Sequence, residues 1–64
     1  MKEWIVRIQY EYEGSSGFDH QSFAEYVVKA SKEFDALKKA LSLLKKEARP
    51  QSILSYKCIE LKDN

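Results

Sequence analysis

A chain of 64 residues and 7.5 kDa can build one hydrophobic core, so it is read as a single domain over 1–64. A domain of this size buries only about 60% of the surface its unfolded chain exposes, which leaves little room for an enclosed catalytic pocket and places function on a surface. The net charge of +1 is close to neutral, and the single cysteine, Cys58, excludes an intramolecular disulfide, a Cys-x-x-Cys redox pair and a cysteine-based zinc site.

The first strand is expected over 3–12, with Trp4, Val6, Ile8, Tyr10 and Tyr12 on one face and Glu3, Arg7, Gln9 and Glu11 on the other. Only Ile5 breaks this alternation. Residues 13–22 are polar and hold both glycines, which predicts a loop longer than most hairpin turns. A second strand follows over 23–30, where Tyr26, Val28 and Ala30 alternate with Glu25, Val27 and Lys29. At Ala30 and Ser31 the period changes from two to about 3.6, and Phe34, Leu37, Leu41, Leu44 and Ala48 mark the core face of a helix over 31–49.

Ser31 is placed to cap that helix, and Glu33 and Asp35 suit its positive end, while Phe34 stands where a capping box would need Glu or Gln. Pro50 ends it. The last strand, over 52–62, has Leu54, Tyr56 and Cys58 on one face and then Ile59 and Leu61 on the other, which predicts a bulge near Lys57 or a partly covered second face. The expected fold class is α+β: a ββαβ domain whose three-stranded antiparallel sheet has the order 2-1-3 and carries one helix on one face. Its core should join Trp4, Val6, Ile8, Tyr26, Val28, Leu54 and Tyr56 to Phe34, Leu37, Leu41 and Leu44, with Ala36 and Leu43 at the edge of this stripe widening the apolar arc with Ala40, and Leu43 either a core-rim residue or part of a small association patch. No apolar run is long enough for a membrane span or a signal-peptide core, so the chain is expected in a reducing cytoplasm.

Charge is unevenly spread. Between Arg7 and Lys29 there is no cation, and Glu11, Glu13, Asp19 and Glu25 make the first hairpin acidic. The helix carries Lys32, Lys38, Lys39, Lys45, Lys46 and Arg49 against Glu33, Asp35 and Glu47. Its basic face could track phosphates, but solvated lysines on an exposed helix are ordinary, and neither interleaved aromatics nor a glycine-rich loop accompanies them. The alternating aromatics belong to the core pattern, whereas Phe18 sits in the polar loop as a candidate apolar anchor. His20 beside Asp19, with serines nearby, lacks the rigid placement and oxyanion site that nucleophilic catalysis needs, and Cys58 reads as a small apolar residue.

The junction Tyr26, Val28, Ala30, Ser31, followed by Asp35, Ala36, Leu37 and Ala40, resembles that of the small strand-strand-helix-strand inhibitors of bacterial RNA polymerase encoded by T7-like phages. It is also similar to archaeal ribosomal proteins of the LX type, although proteins embedded in RNA are usually far more basic. The first resemblance implies binding through charged groups on strands and loop. The expected function is therefore a non-catalytic interaction module, a regulator or inhibitor that docks on a larger protein such as a nucleic-acid-processing enzyme. No cofactor or metal is expected, and the protein-binding residues would be Glu11, Glu13, Phe18, Asp19 and Glu25. The alternatives are a nucleic-acid-binding domain using the lysine face and a homodimer formed through open strand edges or sheet faces.

Overall fold

The computed structural model describes residues 1–14 and 19–61. Three strands, β1 (Lys2–Glu13), β2 (Asp19–Ala30) and β3 (Ser52–Leu61), form one antiparallel sheet in the order β2-β1-β3. One helix, α1 (Glu33–Glu47), packs on one face, giving the expected α+β, ββαβ architecture. The most regularly alternating strand takes the centre: Trp4, Val6, Ile8 and Tyr10 of β1 are all buried beneath the helix. Across the sheet Val6 lies opposite Tyr26 on one side and Cys58 on the other. The Trp4 indole N–H donates to the Ala30 carbonyl at 2.9 Å, tying the start of β1 to the end of β2.

The helix is rotated relative to the expected stripe. Its buried line is Ala36, Ala40 and Leu44, with Leu37, Leu41 and Ala48 partly buried, while Phe34 is 66% exposed. Small alanines let the helix approach the large side chains of β1, and a Phe on that line would hold the two apart. Phe34 instead lies beneath the Lys38 ammonium, 5.4 Å from its ring centroid. Tyr56 and Leu54 also fall outside the buried core.

Ser31 does not cap the helix. Lys32 is the N-cap, in extended geometry and without a side-chain bond, and Ala36 N–H donates to the Lys32 carbonyl at 3.1 Å. At the other end Ala48 N–H donates to the Leu44 carbonyl at 2.8 Å, and Arg49 turns the chain with φ of 47°, a left-handed geometry that glycine would adopt at lower cost. Gln51 N–H then donates to the Glu11 carbonyl at 2.8 Å and starts the third strand on β1.

The start of β2 and the position of the bulge in β3 also differ from expectation. β2 begins at Asp19, four residues before the expected Phe23, because His20, Gln21 and Ser22 find partners opposite Tyr12, Glu11 and Tyr10. Gln21 accepts a bond from the Gln9 amide at 3.2 Å, and the His20 ring stacks on Tyr12 at 5.5 Å. The bulge in β3 falls at Leu54, between the Ser55–Gln9 and Ile53–Tyr10 pairs, and Ile59 and Leu61 occupy the face away from the helix by ordinary alternation.

The molecule is long, 46 × 16 × 15 Å, with a radius of gyration of 12.9 Å against about 10.7 Å for a compact chain of this length. The twelve-residue strands of the hairpin span about 40 Å, whereas the fifteen-residue helix spans about 22 Å. β3 begins opposite Glu11, so the Tyr12–His20 and Glu13–Asp19 rungs project as a two-stranded arm.

Candidate functional site

Of the acidic residues expected to act together, Glu11 at the base of the arm and Glu13 on it share the face away from the helix, and Asp19 is the register partner of Glu13. Glu25 stands apart, four residues up the strand from Gln21, the partner of Glu11, or about 13 Å. Its carboxylate accepts from Arg7 at 3.0 Å, so its charge is balanced locally. Phe18 lies outside the described residues. On the opposite face of the arm, Tyr10, Tyr12 and His20 form an aromatic ladder, with the two tyrosine centroids 6.2 Å apart. Tyr10 is buried, but Tyr12 and His20 are exposed.

The basic residues Lys32, Lys38, Lys39, Lys45, Lys46 and Arg49 are all exposed. Lys39 is nevertheless engaged, because its ammonium donates to the Lys29 carbonyl at the edge of β2. Lys38 covers Phe34. Lys29, Lys38 and Lys39 line an open groove with Val28, Ser42 and Leu43, between α1 and the β2 edge.

Hydrogen-bond parity distinguishes the two sheet edges. The Lys29 carbonyl meets a helix side chain, so it points away from β1, and the Glu11 carbonyl reaches Gln51 on the β3 side. Alternation then directs the backbone groups of Glu3, Ile5, Arg7 and Gln9 toward β3, where they meet Leu61, Ile59, Lys57 and Ser55. The intervening residues Tyr56, Cys58 and Glu60 present their N–H and C=O groups outward, along an edge that no strand covers among the described residues. Above this edge the helix leaves an open trough lined by Glu33, Phe34, Leu37 and Tyr56, and Tyr56 is 57% exposed. On the face away from the helix, Val27, Ile5 and Ile59 form an apolar rung across all three strands.

Among the described residues, two titrating groups are shifted. Tyr26 is pushed up to about 12, by burial and by the Glu47 carboxylate, which accepts from its hydroxyl at 2.8 Å. Burial, aided by the Glu33 carboxylate, raises the Cys58 thiol as well, which disfavours the reactive thiolate. Among the described residues no three His, Cys, Asp or Glu side chains gather as a metal site, and no helix is long and apolar enough to cross a membrane.

Sequence reasoning did not single out the β3 edge or the apolar rung. Their signals were Ile5 in the polar register of the first strand, Val27 in that of the second, and the late shift to Ile59 and Leu61 in the third. No family model matches the chain, and neither the curated proteins nor the solved structures contain a match to it.

Proposed function

We propose that this chain is a small non-catalytic protein-interaction module, a regulator or inhibitor that docks its hairpin arm on a larger protein. The observation that supports this reading most is the arm itself. Beyond Glu11 no third strand pairs with it among the described residues, yet Glu11 at its base and Glu13 lie on one face and Tyr12 stacks on His20 on the other. Acidic groups on a projecting element steer it toward a basic groove, and aromatic side chains supply apolar contact once it is seated. A groove that ordinarily holds a phosphate backbone has this chemistry, which favours a nucleic-acid-processing enzyme as the partner.

The test is a photo-crosslinking residue placed at Tyr12 or, separately, at Lys45, in chains returned to their native host lysate. A discrete adduct to one larger protein is expected from position 12 and not from position 45. It should weaken when Glu11 and Glu13 are both changed to Gln, and it should fade with added salt. Adducts from position 45 alone, or none from either position, would overturn this reading. The lysine groove between α1 and β2 supports the competing nucleic-acid reading, although Lys39 is already bonded within the protein. Tight, salt-dependent binding of labelled oligonucleotides by the purified chain would favour that alternative.

A further inference from the structure

The free edge of β3 calls for an extended strand as its occupant, and β3 is itself complementary to that edge. We propose that a second copy of this chain pairs antiparallel along β3, in the register that sets Cys58 opposite Cys58 of the second copy, joining two sheets into one of six strands. This pairing uses a different surface from the hairpin arm and does not depend on what the arm binds.

Three observations select the second copy and the register. The first is hydrogen bonding. The outward residues are Tyr56, Cys58 and Glu60, and centring the two-fold on Cys58 pairs Tyr56 with Glu60 of the second copy and Cys58 with its equivalent. Every outward N–H and C=O of these three residues is then satisfied. The second is charge. Centring the two-fold on Lys57 would set two ammonium groups directly opposite, whereas the Cys58 register sets Lys57 over Ile59 of the second copy, where its stem covers the end of the apolar rung. In the same register Glu60, which pairs with Lys2 at 3.0 Å, meets the Tyr56 hydroxyl, a donor, and not another anion.

The third observation is area. The exposed surface, 4890 Å², exceeds the roughly 4,250 Å² expected of a 7.5 kDa monomer. The surplus is about 600 Å², not far below the roughly 800 Å² that each partner buries in a standard interface. Along β3 the side chains of Tyr56, Ile53 and Ile59 are exposed, as is the neighbouring Phe34. An exposed strand edge with apolar side chains on both faces is the configuration that invites pairing. The β2 edge is less open, since an incoming strand there would displace Lys39 from the Lys29 carbonyl.

Sedimentation equilibrium of the purified full chain, from micromolar to several hundred micromolar, tests this directly. The mass should rise from 7.5 kDa toward twice that value. Glu60→Pro removes an outward N–H without touching the β1 ladder, a placement proline tolerates on an edge strand, and should raise the dissociation constant at least 10-fold. Glu60→Gln keeps that N–H and should stay within about 3-fold of the parent, consistent with the small worth of an exposed ion pair. Should the proline variant fail to fold, a mixed sample of labelled and unlabelled parent chains still decides, through a magnetisation-transfer contact between Tyr56 and Glu60 of different copies. A parent that stays at 7.5 kDa throughout, a proline variant that associates like the parent, or a dimer lacking that contact would each overturn the proposal. A monomeric parent whose arm still crosslinks a larger protein would sink this inference alone.

Discussion

Along β2 the helix is tied to the sheet, with the Lys39 ammonium on the Lys29 carbonyl and the Tyr26 hydroxyl on the Glu47 carboxylate, whereas no side-chain hydrogen bond joins α1 to β3 among the described residues. The cause is geometric. A helix is about 10 Å across and strands are about 4.8 Å apart, so one helix covers about two of three strands. Here the alanine line and the two tethers draw it over β1 and β2, and β3 keeps a trough beside Phe34 and an unguarded edge. One side of this small domain is finished by its own helix; the other is finished only if something else pairs with it.

The largest effect expected from this asymmetry is on stability. Leu44 is fully buried on the central line of the helix, so Leu44→Ala should cost about 2–5 kcal/mol through the cavity it leaves. Leu41 is only partly buried, so Leu41→Ala should cost clearly less. Urea unfolding of both variants reads the difference, and an equal or greater loss at Leu41 would contradict the lean of the helix toward β2.

A smaller effect isolates the tether itself. The phenol of Tyr26 ionises at its ordinary value of 10 in the unfolded chain but only at about 12 in the folded one. Its contribution is therefore complete below pH 10 and is lost as pH rises from 10 through 12. Tyr26→Phe should flatten that part of the stability profile relative to the parent and cost about 0.5–1.5 kcal/mol at neutral pH. Melting temperatures of both proteins between pH 7 and 12 test it, and parallel profiles would show that the bond to Glu47 does not hold the helix.

Periodicity carried most of the fold. The alternation of Trp4, Val6, Ile8 and Tyr10 identified the central strand, and the change of period after Ala30 identified the helix, so element order and sheet order were legible. The helix register was not, because hydrophobicity ranks Phe34 above Ala36 and Ala40 while close packing on β1 selects the smaller side chains. Strand character at Asp19–Ser22 was hidden because it comes from the pairing partner and not from local propensity. The acidic arm was legible as a run without cations, but the balancing of Glu25 by Arg7 depends on cross-strand register. The free edge was hidden too, since one sequence does not state which strand the helix will leave uncovered.

The most direct measurement of the unfinished side is residue-resolved amide hydrogen exchange at two protein concentrations. Lys57 and Ile59 donate to β1 and should be protected at both. Tyr56, Cys58 and Glu60 should be weakly protected when dilute and gain protection as concentration rises, while Glu25 and Val27 on the β2 edge exchange at the same rate throughout. If the outward amides of β3 exchange as fast as those of β2 at every concentration, the β3 edge has no strand partner in solution and the account of it is contradicted.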